Sequence, residues 1–283
     1  MPKILDGKWV RDQILAELKP RVASLSRPPG LAVVLVGNDP ASEIYVRNKV
    51  KACAELGIYS EKITPPASIS TEELLAIVDS LNHDPRIDGI LVQKPLPHQI
   101  DSSKILLAIS PAKDVDGFHP SSVGNLVIGN PGPRACTPAG IMEMLRRYEI
   151  PVSGKKVVVV GRSDIVGKPM AMLLLHANAT VTICHSRTSN LEAECLQADI
   201  LVAAIGKPAL VRGSFIKEGA TVIDVGMNRI PAADGKSQLI GDVDPQGVEH
   251  ASAVTPVPGG VGPLTIAMLM SNAVDLAERH LHR

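Results

Sequence analysis

The chain has 283 residues, enough for one or two domains and a sizeable core, and its 29 Lys and Arg residues are balanced by 29 Asp and Glu residues. With no basic excess and only one Trp, three Tyr and two Phe, neither phosphate-backbone binding nor base stacking is favoured, so no nucleic-acid partner is expected. No uninterrupted apolar run approaches the ~18 residues that a membrane span needs, so no membrane partner is expected either.

Short β-branched runs alternate with longer helical patterns along the chain. In chain order, the predicted strands are 31–37, 88–93, 155–161, 179–186, 198–206 and 220–226, and the predicted helices are 39–57, 138–150, 168–178 and 264–283. Continuous apolar strands separated by helices indicate parallel sheets covered on both faces. We therefore predict an α/β fold.

The spacings of the cysteines and histidines indicate neither a C-x-x-C motif nor a histidine metal site. The four cysteines, Cys53, Cys136, Cys184 and Cys195, form no C-x-x-C pair and follow a charged opening segment rather than a signal peptide. We interpret them as reduced thiols of a cytoplasmic protein. The eight His residues show no paired ligand spacing supported by acids, so no metal site is predicted.

The helix predicted over 39–57 carries a Tyr-x-x-x-Lys pair. Tyr45 and Lys49 are four residues apart, which places both side chains on one helix face. Such a pair is the catalytic signature of short-chain dehydrogenases, in which it follows the nucleotide-binding turn. Here it precedes the candidate turn, described next, by more than 100 residues, so the short-chain interpretation is rejected.

A strand, a glycine-containing turn and a helix follow one another in "VVVVGRSDIVGKPM". Only Gly161 and Gly167 are present, so the segment is not a full G-x-G-x-x-G fingerprint. A tight turn that leads into a helix N-terminus nevertheless suits a phosphate group. The alternative is a plain βα turn, as found in any α/β protein.

The strand after this turn bears on the choice of dinucleotide. It ends in "CHSRT" (184–188), without the acid that binds the ribose 2′-hydroxyl of NAD. Ser186 can donate a hydrogen bond to a 2′-phosphate, and Arg187 or Arg162 can pair with it. These residues favour NADP over NAD; the alternative is that the arginines are solvated loop residues.

A second group of polar residues lies in the first half of the chain. Gln93 ends a predicted strand, and Asp114 and Asp116 lie in the next loop, "KDVDGF". Because ligands of open parallel sheets bind at the carboxyl ends of strands, these residues are candidates to meet Tyr45 and Lys49 in one site. The alternative is a set of unrelated caps and surface charges.

Seven segments occur in a fixed order: "ASEIYVRNKVKACAELGI", "DGILVQKPLP", "KDVDGFHP", "CTPAG", "GRSDIVGKPMAMLLL", "CHSRT" and "TPVPGGVGPLT". Together they resemble the bifunctional methylenetetrahydrofolate dehydrogenase/cyclohydrolase family over nearly the whole chain. The resemblance implies a parallel-sheet catalytic domain over 1–140, joined by the C-terminal helix 264–283, and a Rossmann-like NADP-binding domain over 141–263. It also implies a folate-binding cleft between these two domains, and a homodimer.

The resemblance implies residue roles as well. Lys49 matches the catalytic lysine, and Gln93 matches the glutamine that interacts with it. Tyr45 matches the tyrosine that packs against the folate rings, and Asp116 matches the acid that binds the pterin-like end. One departure stands beside these matches: the family usually reads L-V-Q-L-P-L-P, and here Lys94 follows Gln93. Alternation along the strand predicts that Lys94 faces away from Gln93.

Two further sets of residues are expected to contact ligands. The loop "TPVPGGVGP" is expected to approach the flat rings through Pro258, Gly259 and Gly260. Five positions match the family's cofactor contacts: Gly161, Arg162, Ser163, Ser186 and Met227. Arg187 joins them as a candidate because it can pair with a 2′-phosphate.

The implied activity has two steps. NADP oxidises 5,10-methylenetetrahydrofolate to the methenyl form, and water then opens that ring to give 10-formyltetrahydrofolate. The alternatives are a monofunctional NADP-dependent dehydrogenase of the same fold and a nucleotide-sensing protein without catalysis. A dehydrogenase for shikimate-type or amino-acid substrates would share the second domain's pattern but would not explain "DGILVQKPLP" together with "KDVDGF".

Overall fold

The computed structural model describes residues 1–231 and 237–281. The strands are β1 (Lys3–Ile4), β2 (Gly30–Val34), β3 (Tyr59–Ile63), β4 (Gly89–Val92), β5 (Lys156–Val160), β6 (Thr180–Cys184), β7 (Ile200–Ala203), β8 (Thr221–Asp224), β9 (Asn228–Pro231), β10 (Ser237–Ile240) and β11 (Ala253–Val254). The helices are α1 (Gly7–Ser24), α2 (Pro40–Leu56), α3 (Thr71–His83), α4 (Ser102–Ala108), α5 (Pro120–Val127), α6 (Cys136–Arg147), α7 (Gly167–His176), α8 (Leu191–Cys195) and α9 (Gly262–Leu281). The last two residues of the predicted helix 264–283 lie outside the described residues.

One compact unit, here called the six-stranded unit, comprises Met1–Asp12 and Thr137–Thr265. Its sheet has the order β1-β11-β8-β7-β5-β6, and every pair in it is parallel. Its central strands are apolar along their length, as strands covered on both faces must be. The strands β9 and β10 form a separate antiparallel pair.

The second compact unit, here called the three-stranded unit, comprises Gln13–Cys136 and Ile266–Arg283. Its parallel sheet has the order β3-β2-β4, with β2 fully buried in the centre. Aliphatic side chains from β2, β4 and α3 form its core. The edge strand β3 is polar and partly exposed, which discourages pairing with other chains.

The structure confirms a two-domain α/β fold built on parallel sheets. The units differ from the expected 1–140 and 141–263 by two to four residues at the later boundaries and, more substantially, because Met1–Asp12 group with the six-stranded unit. The reason is strand pairing: Lys3 lies opposite Ala253, so β1 extends the larger sheet. Every predicted strand and helix is present, but the strands stop one to three residues before the predicted polar or glycine ends.

A buried ion pair ties together distant parts of the three-stranded unit. Asp88 is 0% exposed and accepts two hydrogen bonds from the Arg27 guanidinium, at 2.6 and 2.8 Å. It also accepts from the Gly30 amide at 2.8 Å and lies 2.9 Å from Nδ1 of His280, near the end of α9. Burial opposes ionisation of Asp88, but the hydrogen bonds from Arg27 and His280 outweigh it and hold the pKa of Asp88 below its ordinary value.

Replacing Asp88 with Asn should therefore destabilise this unit at neutral pH by at least about 2 kcal/mol, because hydrogen bonds to a charged group are lost. The measurement is native-state hydrogen exchange of the amides in β2. The effect should shrink below about pH 4, because a depressed pKa gives stability above the unfolded-state value that is lost on acidification. As a control, Glu55→Gln removes the exposed Lys51–Glu55 pair and should cost less than about 0.5 kcal/mol. Equal effects of the two substitutions would contradict the argument.

Candidate active site

Helix α2 carries the first group of candidate residues in the three-stranded unit. Asp39 caps the helix by accepting from the Ser42 amide at 2.8 Å, and Gly57 ends it in the left-handed conformation, at φ 77°. Between these caps, Tyr45 and Lys49 lie one helical turn apart. Tyr45 is 43% exposed.

The structure brings Lys49 and Gln93 together. Lys49 Nζ donates to Gln93 Oε1 at 3.0 Å. The other end of the Gln93 amide donates to the Lys94 carbonyl at 2.7 Å, so the oxygen is turned toward the lysine. Gln93 follows directly after β4, at the carboxyl end of the sheet, where the general rule for open parallel sheets places ligands.

Asp116 lies in a loop that a neighbouring carboxylate shapes. Asp114 is buried and accepts from the Phe118 and His119 amides at 3.3 and 2.9 Å and from the Ser122 hydroxyl at 2.6 Å. These contacts fold the loop around Asp114. Asp116, which is partly buried, is the carboxylate on which the positive charges of Lys49 and Lys94 act.

The electrostatics place three charged groups in one region. Burial raises the pKa of Asp116 to about 6, and the positive charges of Lys49 and Lys94 partly oppose this rise. The expectation that Lys94 faces away from the site rested on alternation along a strand. Strand β4 ends at Val92, however, so alternation does not extend to Lys94, and its charge acts on the same carboxylate as that of Lys49.

In the six-stranded unit, the sheet has a topological switch point. The chain passes from β5 to β6 on one side and later returns to β7 on the other side of β5. A crevice outside the carboxyl ends of such strands is where open parallel sheets bind nucleotides. Gly161 follows β5 at this point with φ 133°, and a Cβ there would lie 2.1 Å from the Ala204 carbonyl oxygen after β7. Only glycine fits this turn.

The remaining residues of the turn have distinct positions. Arg162 is exposed, as a cation for a cofactor phosphate would have to be. Ser163 Oγ accepts from the Val166 and Gly167 amides at 3.2 and 3.3 Å, so the serine organises the start of α7 as well as being a candidate cofactor contact. No sequence argument had indicated this capping role for Ser163.

The turn after β6 exposes the two residues that favour NADP. His185 and Thr188 close this turn through a 2.9 Å backbone bond and a 2.8 Å bond from the His185 amide to the Thr188 hydroxyl. Ser186 and Arg187 lie at its exposed tip. No carboxylate occurs between 179 and 189, so nothing in this segment would repel a 2′-phosphate.

The residues 258–260 and Met227 lie close together in the same unit. The Gly7 amide donates to the Gly259 carbonyl at 2.9 Å, which anchors the loop that carries Pro258, Gly259 and Gly260. Met227 is exposed after β8, and its sulfur would lie 3.3 Å from a Cβ added at Gly262. The loop and the methionine thus flank the start of α9.

Sequence reasoning missed one residue that shapes the three-stranded site. Asn272 is buried on α9, and its amide donates to the carbonyls of Val115 and Arg134 at 2.8 and 2.9 Å. It therefore fixes the backbone next to Asp116. The sequence gives no signal for this contact, which joins residues more than 100 positions apart.

Two features are absent from the described residues, a metal-binding cluster and a membrane-spanning helix. Within 1–231 and 237–281, no group of three or more His, Cys, Asp or Glu side chains is arranged to hold a metal ion. None of the helices in the same part of the chain is long and apolar enough to cross a membrane.

Comparison with known proteins extends these observations. Residues 5–116 match the family described as the tetrahydrofolate dehydrogenase/cyclohydrolase catalytic domain, and residues 135–281 match its NAD(P)-binding domain. The bifunctional protein FolD of Solibacter usitatus is 65% identical, over 99% of this chain and 98% of its own. A crystal structure of the bifunctional enzyme FolD from Campylobacter jejuni has a TM-score of 0.94 and 46% identity, covering 99% of both chains. That of the Trypanosoma brucei enzyme, complexed with NADP cofactor and an inhibitor, has a TM-score of 0.94 and 39% identity, covering 100% of both.

The fold and the switch-point turn define a two-domain α/β protein with an NAD(P)-binding domain. The chain belongs to the bifunctional tetrahydrofolate dehydrogenase/cyclohydrolase family. The family resemblance in the sequence is thereby confirmed, and so is its α/β fold class.

The close approach at Gly161 gives a prediction. Gly161→Ala should weaken NADPH binding at least about tenfold, because the new methyl group forces the Ala204 carbonyl out of the switch-point crevice. Titration of NADPH fluorescence measures this. Gly154→Ala is the matched control: Gly154 also has a positive φ of 74°, but a Cβ there meets nothing within 4 Å. Equal NADPH affinity in the two variants would contradict the assignment of the crevice.

Proposed function

We propose that this protein oxidises 5,10-methylenetetrahydrofolate to 5,10-methenyltetrahydrofolate with NADP and then hydrolyses the product to 10-formyltetrahydrofolate. It thus acts in one-carbon metabolism. The observation that carries the proposal is the Lys49–Gln93 hydrogen bond, beside Asp116, in a chain whose other unit is an NAD(P)-binding domain. A monofunctional NADP-dependent dehydrogenase is the second candidate, and the intact Lys49–Gln93 pair speaks against it.

The residues of the six-stranded unit suit NADP. The Gly161 turn and the start of α7 form a cradle in which an added Cβ would collide with backbone, as expected where backbone approaches a pyrophosphate. Ser186 and Arg187 would hold the 2′-phosphate, with Arg162 as a further cation. Met227 completes the proposed cofactor contacts. When bound, NADP supplies the hydride acceptor for the first step.

The first step makes few chemical demands on side chains. The folate nitrogens stabilise the cation that forms when the methylene carbon loses a hydride, so the protein mainly has to orient the substrate. In this proposal Tyr45 packs against the folate rings, and Asp116 accepts hydrogen bonds from the N–H groups of the pterin-like end. Pro258, Gly259 and Gly260 present backbone to the flat ligands.

The second step requires proton transfer. Water adds to the methenyl carbon and loses one proton, and a ring nitrogen is protonated as its bond to the carbon breaks. The hydroxyl on that carbon then loses its proton to become the formyl oxygen, so one proton is released overall. Lys49 is the group that we assign to this transfer. Gln93 accepts a hydrogen bond from its amine, which fixes the position of Nζ. Such fixed geometry is what a general acid–base group needs.

Two further proposals concern the state of the protein. We propose a homodimer, supported by the family resemblance and by exposed apolar side chains, Leu175 on α7 and Ile183 on the edge strand β6.

We also propose a cytoplasmic location. The four cysteines are free and buried, as is usual for proteins of a reducing compartment.

The first experiment mixes the purified protein with 5,10-methylenetetrahydrofolate and NADP and follows NADPH, methenyl- and 10-formyltetrahydrofolate together. The wild type should form NADPH and formyl product faster than spontaneous hydrolysis. Lys49→Met should lower the hydrolysis of supplied methenyltetrahydrofolate by at least about 100-fold, because it removes the acid–base group. Lys51→Met, on the same helix and 75% exposed, is the control.

Normal hydrolysis by Lys49→Met would show that the lysine is wrongly assigned. A wild type that accumulates methenyl product would leave the monofunctional dehydrogenase. A wild type that binds NADPH but produces no NADPH with either NADP or NAD would instead favour a nucleotide-sensing protein.

The pKa of Asp116 predicts a pH dependence. The carboxylate form accepts hydrogen bonds from the substrate, and a pKa of about 6 means that protonation removes this form below about pH 6. The KM for the folate substrate should therefore rise as the pH falls through 6. Asp116→Asn should have a raised KM at every pH and lose this dependence, whereas Asp79→Asn, on the exposed surface of α3, should behave as the wild type. A wild-type KM that is constant from pH 5 to 8 would refute this role.

A further inference from the structure

Two buried carboxylates lie at the carboxyl edge of the six-stranded sheet, outside the residues assigned so far. Asp224 ends β8, and Asp242 follows β10 by two residues. Asp224 is 6% exposed and Asp242 is 0% exposed. A buried acid is retained only where donors compensate for its lost hydration, so its partners indicate what it organises.

Asp224 holds the backbone around Asp242. Its Oδ1 accepts from the amides of Gly226 and Asp242 at 2.9 and 2.8 Å, and its Oδ2 accepts from the Val243 amide at 3.0 Å. The approach at Gly241 is so close that an added Cβ would lie 1.7 Å from Asp224 Oδ2. This packing fixes the point from which the Asp242 side chain extends.

Asp242 in turn holds two other loops. Its Oδ2 accepts from the amides of Ile205 and Gly206 at 2.6 and 2.9 Å. Its Oδ1 accepts from the Lys207 amide and from the Asn228 side-chain amide, each at 2.9 Å. Three consecutive amides after β7 and one side chain after β8 thus converge on one carboxylate.

These loops lie at the switch point of the sheet. The loop held by Asp242 begins directly after Ala204, whose carbonyl oxygen lies against Gly161 in the turn after β5. Met227, a proposed cofactor contact, lies between Gly226, held by Asp224, and Asn228, held by Asp242. Both carboxylates therefore fix the neighbours of Met227.

The direction of the amides has a chemical consequence. In a trans peptide the N–H of one residue and the C=O of the preceding residue point in opposite directions. Because the amides of residues 205–207 point toward Asp242, the carbonyls of Ala204, Ile205 and Gly206 point away from it. The Ala204 carbonyl does face Gly161. The Ala204 carbonyl is thus packed against the Gly161 turn, and the Ile205 and Gly206 carbonyls lie on the side away from Asp242, where acceptors suit donors such as ribose hydroxyls and a carboxamide.

We propose that Asp242, supported by Asp224, is a positioning residue for the cofactor: it sets the 205–207 loop and Asn228 in the geometry that binds the dinucleotide. This role rests on the proposed NADP-dependent function. A neutral side chain of the same size cannot perform it, because Asn has one acceptor atom for four donors.

The test uses the two activities of the full-length protein. Asp242→Asn should weaken NADPH binding, measured by fluorescence titration, about 10- to 100-fold, with a matching rise in the KM for NADP. Hydrolysis of supplied methenyltetrahydrofolate needs no cofactor and should stay within about twofold of the wild type. Asn228→Ala removes only one of the four donors and should weaken NADPH binding a few-fold. Asp244→Asn, two residues further on and partly exposed, is the control and should match the wild type.

Three outcomes overturn the role, and a fourth overturns only the proposed function. Wild-type NADPH affinity in Asp242→Asn excludes a positioning effect. A parallel loss of NADPH binding and hydrolysis in both Asp242→Asn and Asn228→Ala shows that the network only supports the fold. If the wild type binds NADPH without turnover, the proposed function fails while the binding measurement still decides the role of Asp242. If the wild type does not bind NADPH at all, both proposals fail.

Discussion

Parallel strand pairing is the constraint on which both candidate sites depend. In a parallel sheet all strands run in one direction, so their carboxyl ends meet at one edge, and the polar residues that follow the strands meet there as well. In the three-stranded unit this brings Gln93, after β4, to Lys49. In the six-stranded unit it brings Gly161, after β5, to Ala204, after β7.

Buried carboxylates serve two different purposes in this chain. Asp88 and Asp242 are fully buried and accept several hydrogen bonds each, which makes them fixed anchors for the backbone. Asp116 is only partly buried, and its surroundings combine desolvation with the charges of two lysines. Its pKa of about 6 keeps it close to the point of titration, which suits the substrate contact proposed for it.

The sequence predicted what depends on local pattern. The apolar strands, the capped α2 helix and the Gly161 turn follow from a few adjacent residues. Helix α1 was missed although Val10, Ile14, Leu18 and Val22 repeat every four residues, a signal that periodicity could have supplied. The polar edge strand β3 has no such pattern. The Asp242 network joins residues more than 30 positions apart through backbone amides, which have no signature in the sequence.

Lys94 contributes to the site in two separate ways, through its backbone carbonyl and through the charge of its side chain. The structural contact at this position is made by the backbone carbonyl, which accepts from Gln93 Nε2, so a leucine or a lysine can supply it equally. The side chain is exposed and adds a positive charge that favours the ionised form of Asp116. Lys94 therefore leaves the Lys49–Gln93 pair in place, and its charge extends the ionisation of Asp116 toward lower pH.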